Sequence, residues 1–310
     1  MSACAAGGYH PHRRQSRRSR VDNHRNRRAD PPLRLGGSEP LDTSELRWED
    51  IMSKMTKALD DKLNTLDLSL FAQIESQTST QDKRSLLALH AACREAFGDF
   101  TYLEIGSHLG GSLQSFIVDP LCREIISIDP RPLVQPDERW TDGYAYPHNS
   151  TERMLALLRQ LPDADLTRLR TIEKSTADIS PAEISPAPTL CFIDGEHTDQ
   201  ATLRDAEFCR SVMRAPGVIA FHDRAVVSAA IRRFLRGTDG IGYAIGDNMF
   251  VVEFGGDRIF HHSLVWRMVP NARAWRLANR MRVAHLFATR LGGRMRMRLG
   301  PRLREMRRKA

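Results

Sequence analysis

LEIGSHLGGS, residues 103–112, interrupts an apolar run with Gly106, Gly110 and Gly111. FTYLEI (100–105) reads as a short strand, and the glycines after it let the backbone turn tightly. Residues 112–118 read as the helix that follows. The same alternation extends on both sides. Upstream, Leu86, Leu89, Cys93 and Phe97 recur at helical spacing, and Gly98 follows as a stop signal. Downstream, EIISI (124–128), TRLRTIE (167–173), TLCFID (189–194) and GVIAFHD (217–223) read as further strands. Helices are expected after Asn149, which forms a capping pair with Glu152, over 198–213, and from Val227 to Gly237. GYAI (242–245) and MFVVEF (249–254), separated by Gly-Asp-Asn, read as a hairpin.

These strands are apolar runs and do not alternate, which implies burial on both faces. The predicted fold is α/β: a Rossmann-like, mostly parallel sheet with helices on both faces and a C-terminal antiparallel hairpin. Ligands of such sheets bind at the carboxyl ends of the strands. Glu104, Asp129, Asp194, His222 and Asp223 stand at or beside strand ends, and that is where chemistry is expected.

The loop spacing is E-x-G-x-x-x-G, not the G-x-G-x-x-G that presents a helix N-terminus to pyrophosphate. A carboxylate at Glu104 repels phosphate and suits a cation. S-adenosylmethionine carries a sulfonium and an ammonium and no phosphate. Asp129, at the end of the next strand, has the position of a carboxylate that takes two ribose hydroxyls. As turn residues alone, the glycines need no ligand.

LEIGSHLGGS, IISIDP, LCFIDGEHTDQATLRDAEF and PGVIAFHD together resemble class I S-adenosylmethionine-dependent methyltransferases. Within that class they look most like the group of macrocin O-methyltransferase and the cephalosporin-biosynthesis methyltransferases. The resemblance covers about residues 82–255. The glycine motif marks only the superfamily, while I-D-G-x-H with F-H-D marks the group. The resemblance implies that Glu104, Gly106, Ser107 and Gly110 line the methionine part of the cofactor and that Asp129 binds its ribose. Adenine is expected near Ser175, Thr176 and Asp178. By the same resemblance Asp194 would bind a divalent metal, magnesium or manganese, and His197 would be the general base. An acidic pair completes the metal site in such enzymes. Here the pair is His222-Asp223, so imidazole replaces one oxygen ligand, a departure that fits magnesium less well and leaves open manganese, another imidazole-tolerant ion or no metal at all.

The residue types support that chemistry independently. A sulfonium methyl is already activated, so alignment is the main task. A hydroxyl acceptor becomes a good nucleophile only on losing its proton, which a base at His197 can take. Each residue also has a purely structural role open to it. Asp194 with Thr198, and Asp223, could cap the helices that follow them. His197 could be a loop histidine and His222 a hydrogen-bonded strand end. The loop 130–148 carries Arg139, Trp140, Tyr144, Tyr146 and His148, which suit a lid or an acceptor-binding wall.

The formal charge is +8, unevenly spread. Residues 1–37 hold nine arginines against Asp22 and Asp30, or 9 − 2 = +7. Residues 263–310 hold thirteen arginines and Lys309 against Glu305, or 14 − 1 = +13. The centre is therefore acidic, at 8 − 7 − 13 = −12. The expected organisation is a disordered basic head (1–40), a helical cap (41–80), a methyltransferase domain (81–262) and a basic helical tail (263–310). Basic ends suit a peripheral membrane surface, another copy of the chain or, least of all, nucleic acid. They keep open a scaffold protein attached to membrane or RNA, and an RNA methyltransferase. Cys4, Cys93, Cys122, Cys191 and Cys209 show no C-x-x-C spacing, and the expected location is cytoplasmic. The partner expected first is a small-molecule or glycosylated acceptor.

Overall fold

The computed structural model describes residues 48–282 and 284. The basic head, Cys4 and the tail from 285 lie outside the described residues. Helix α1 spans Trp48–Asn64 and α2 spans Thr80–Phe97. Ser79 caps α2 by accepting from the Asp82 amide at 3.1 Å, and Gly98 stops it at φ +67°. After β1 (Phe100–Ile105) come α3 (Gln114–Ile117), β2 (Cys122–Ile128), β3 (Val134–Asp137), β4 (Trp140–Ala145) and α4 (Thr151–Leu158). The chain continues through β5 (Leu169–Ile172), β6 (Leu190–Ile193), α5 (Asp199–Val212), β7 (Gly217–Phe221) and α6 (Ser228–Gly237). It then forms β8 (Ile241–Ile245), β9 (Met249–Phe254), α7 (Arg258–His261), α8 (Ser263–Met268) and a helix over 272–282.

Seven strands form one sheet in the order β5-β2-β1-β6-β7-β9-β8. The first five are parallel, and β9 runs antiparallel to both β7 and β8. The C-terminal hairpin therefore joins the main sheet, with its second strand inserted next to β7. Every residue of β1, β6 and β7 is buried, the physical reason their sequences lack alternation. One core layer packs α2, α3 and α4 around Leu89, Phe116 and Tyr243. The other packs α5 and α6 around Phe208, Phe221 and Phe234. Chain order reverses between β1 and β6, which opens the crevice used by ligands in this architecture.

Two sequence expectations change, and part of a third segment gains a place in the fold. The segment 130–148 is not all loop, because β3 and β4 pair as a second, two-stranded sheet. The cap of α4 is Ser150, which accepts from the Arg153 amide, while Asn149 accepts from Arg131. Residues 272–282, placed in the basic tail, are docked on the free edge of β8. Asn279 both accepts from and donates to the backbone of Gly242, at 3.1 and 2.8 Å, and Arg282 donates to the carbonyls of Thr238 and Gly240. Such pairing protects an edge strand.

Two buried polar groups hold this frame together. Burial keeps His90 below its usual pKa, so neutral imidazole donates from Nε2 to Asp119 at 2.7 Å. The counter-charge for Asp119 comes from Arg94, which also pairs with Asp60. The second group is Glu253 on β9, whose carboxyl accepts from the Ile259 and Phe260 amides at 2.9 and 3.0 Å. Burial pushes its pKa up to about 7. A carboxyl with a raised folded-state value stabilises most below its unfolded pKa and loses that contribution as pH rises through the folded value. Stability is thus expected to fall by about 1–3 kcal/mol from this group between pH 5 and pH 8. Urea unfolding at both pH values checks it: Glu253→Gln should flatten the difference, and an unchanged slope contradicts the assignment.

Candidate active site

The strand ends are locked together at the crevice. The Gly106 amide donates to Ile128 at 2.9 Å, Asp194 to Ile105 at 2.9 Å, and His222 to Ile193 at 3.0 Å. Gly106 sits at φ +89°, and a Cβ there would collide with the Asp194 carbonyl oxygen. Only glycine allows β1 and β6 to leave the sheet this close to each other.

Glu104 and Asp129 lie deeper than the sequence suggested. Glu104 is fully buried beneath the loop, where it accepts from Tyr102 at 2.7 Å and from the Ser112 hydroxyl. Burial raises its pKa to about 8. Ser112, and not Glu104, reaches the cleft surface. Asp129 accepts from the amides of His108 at 2.9 Å and Arg131 at 2.8 Å and pairs with the Arg131 guanidinium at 3.2 Å. Gly106 and Ser107 line the cleft, while Gly110 packs against Met154 and Leu158 behind the loop.

The cleft, about 390 Å³, brings together Asp194, His197, His222 and Asp223. His222 Nδ1 stands 2.9 Å from Asp194 Oδ1, and its Nε2 faces Asp82 at 3.4 Å. His197 Nε2 stands 3.1 Å from Asp223 Oδ2 and 3.6 Å from Asp194 Oδ1. Among the described residues, Asp194, His197 and His222 offer ligand atoms within 4.8 Å of one another. Burial alone would raise the pKa of Asp194, but the imidazoles of His222 and His197 facing it hold it well below the usual range. Burial likewise disfavours charge on the two imidazoles. The carboxylates reverse this and raise His197, and His222 more strongly. Asp223 is also taken up by Asn248, which donates to Oδ1 at 2.6 Å, and by Arg139, 3.1 Å from Oδ2.

Asp137 and Glu138 were not singled out from sequence, whereas Arg139, Trp140, Tyr144 and Tyr146 were. Asp137, 5% exposed, accepts from His197 Nδ1 at 3.0 Å and pairs with Arg139 at 2.7 Å. Hydrogen bonds from Arg139 bring its pKa down to about 2. Asp137 and Arg139 reach the site because the β3–β4 turn is pinned to it: the Glu138 amide donates to His197 O, and Glu138 accepts from the Asp199 amide at the start of α5. Trp140, Tyr144 and Tyr146 of the same hairpin form one wall, with residues 75–79 among the other lining residues.

A second cavity of about 230 Å³ also meets Gly106 and is lined by Ser175, Thr176, Gly195 and Asp205. Asp178 is exposed and lines neither cavity. It shares a single 3-10 turn with Thr176, which faces inward.

The sheet order, with a glycine loop after β1, an acid within β1 and acids after β2, β6 and β7, defines a Rossmann-like architecture. Residues 103–224 match a family described as a methyltransferase domain. Among solved structures, the chain is similar to CalS11, a calicheamicin methyltransferase, at 16% identity and TM-score 0.45, covering 68% of this chain and 95% of that one. It is similar to the O-methyltransferase TomG of Streptomyces achromogenes, involved in tomaymycin synthesis and solved with SAM, at 15% identity, TM-score 0.41, and coverage of 69% and 93%. It is also similar to MycE, a methyltransferase of the mycinamycin pathway solved with Mg, SAH and mycinamycin VI, at 15% identity, TM-score 0.43, and coverage of 63% and 54%. No curated protein matches the chain. No helix among the described residues is long and apolar enough to cross a membrane.

Proposed function

We propose that the chain is an S-adenosylmethionine-dependent O-methyltransferase in which His197 takes the proton from an acceptor hydroxyl. The convergence of Asp194, His197, His222 and Asp223 on one cleft, directly beside Gly106, carries this reading. The cofactor would cross Gly106, the residue shared by both cavities, with its adenosine in the smaller and its methyl in the larger. Ser107 and the loop amides would face the methionine end. Asp129, which already shapes that loop, would face the ribose. Asp137 holds Nδ1 of His197 as a donor, which leaves Nε2 to accept the proton.

The cluster fits a divalent ion. His197 Nε2 and His222 Nδ1 are buried without a hydrogen-bond partner among the described residues, although each faces a carboxylate. Asp194 and His222 would hold the ion, with Asp223 beside them, and the imidazole in the set suits manganese better than magnesium. Bound there, an ion would lower the pKa of the acceptor hydroxyl. The chain's own groups do the rest: the hairpin orients His197, and Trp140, Tyr144 and Tyr146 offer ring faces to the acceptor. Ring faces opposite Ser76, Gln77, Thr78 and Ser79 suit a sugar or glycosylated natural product, with apolar and hydroxyl sides to satisfy.

The test is methyl transfer from labelled cofactor to a panel of sugars, glycosides and phenols, with manganese, with magnesium and with chelator. Label on a hydroxyl oxygen supports the reading. Transfer only to amines or to RNA overturns it.

A further inference from the structure

The smaller cavity has walls and a floor of different chemistry. Ile105, Ile128, Pro130, Pro132 and Val134 give it flat apolar sides suited to a purine ring. Its buried polar group is the carboxylate of Asp205, on α5, which is 2% exposed and lines the cavity. Oδ1 of Asp205 accepts from the Thr176 hydroxyl and from Arg204 at 3.4 Å. The hydrogen bonds to Asp205 all fall on Oδ1, and the residue lines the cavity. Of the cations at the rim, Lys174 pairs with Glu183 at 3.5 Å, and Arg204 pairs with Oδ1 of Asp205 and donates to Thr176 at 3.1 Å.

We infer that Asp205 is the residue that reads the base of the cofactor, with Oδ2 accepting a hydrogen bond from the exocyclic amine of adenine. This rests on the cofactor reading above and adds a specificity residue to it. A buried acceptor facing an apolar slot rewards a flat heterocycle that carries a donor at its edge. It penalises one that carries a carbonyl there, because two acceptors are then left face to face without water. Thr176 and Arg204 hold Oδ1, so the carboxylate cannot turn away. Asp178, the acid expected from sequence to lie near adenine, is exposed and has no part in this contact.

The experiment is calorimetric titration of the full chain with S-adenosylhomocysteine and with S-inosylhomocysteine, in which the amine is replaced by a carbonyl. The wild type is expected to bind the adenosyl ligand about tenfold or more tightly than the inosyl one. In Asp205→Asn, whose amide can either accept or donate, that preference should shrink to about threefold or less. A merely structural role for Asp205 would weaken both ligands together and leave their ratio unchanged, and that result overturns the inference. If the variant does not fold, equal affinity of the wild type for the two ligands overturns it as well. A folded wild type that binds neither ligand instead removes the cofactor reading on which the inference rests.

Discussion

Replacing His197 with alanine is expected to lower kcat by about 10²–10⁴-fold, the usual contribution of a positioned general base. The imidazole lines the larger cavity only, so affinity for S-adenosylhomocysteine should stay within about threefold of wild type. That split separates loss of a base from loss of the fold. The effect on kcat should be partly reproduced by Asp137→Asn, because Asp137 holds Nδ1 and so determines which nitrogen is free to accept. Single-turnover methyl transfer on a validated acceptor gives the numbers. An His197→Ala enzyme within about tenfold of wild-type turnover would show that deprotonation occurs elsewhere or needs no base.

The largest stability effect is expected far from the cleft, at Asp119. Its side chain is fully buried and accepts from His90, from Arg94 and from the Leu121 amide. Burial disfavours the carboxylate, but His90 and Arg94 outweigh this and hold its pKa below the usual value. Asp119→Ala leaves a guanidinium at 5% exposure with only the half-exposed Asp60 as partner. Breaking a buried pair on one side typically costs about 3–5 kcal/mol. For a domain of this size the midpoint should then drop by roughly 10 °C or more. The sign with pH follows from the lowered value: this contribution is present above the unfolded pKa and is lost as pH falls through the folded one. Thermal unfolding of the variant checks the magnitude, and a loss below about 1 kcal/mol would mean that Arg94 finds another partner.

The sheet was legible because both of its faces are covered. β1, β6 and β7 read as apolar runs, and helices such as α2 announced themselves by spacing and a glycine stop. The β3–β4 hairpin was not legible for the opposite reason. Most of WTDGYA is exposed, so no apolar period marks it as a strand, and its position is set by contacts of Asp137 and Glu138 with residues sixty positions away. The same asymmetry divides the site. Asp129, Asp194, His197, His222 and Asp223 could be picked out because parallel sheets gather their strand ends at one rim. Asp137 and Asp82 arrive from a hairpin and a helix start, where an acid reads as ordinary surface, whereas Arg139 stood out only as part of the aromatic-rich loop. Asp205 did leave a trace. It falls on the inner face of α5 with Ala201, Thr202, Ala206, Phe208 and Cys209, where an acid is out of place.

The basic head and the end of the tail stay outside the described residues, so the expected contacts with membrane, nucleic acid or a second copy rest on sequence alone. The described part of that region contributes structure. Trp275 packs its ring 5.6 Å from Phe250, and Asn279 and Arg282 occupy the edge of β8, while Leu277 and Met281 face outward.

The central claim is that the crevice at Gly106 binds S-adenosylmethionine. Calorimetric titration of the full chain with S-adenosylhomocysteine tests it most directly, with thermal unfolding in parallel. The account predicts saturable micromolar binding, weakened in Asp129→Ala, and a stability gain of about 2.7 kcal/mol at a hundredfold excess over Kd. A folded protein that shows neither heat nor a shifted midpoint at millimolar ligand would contradict it.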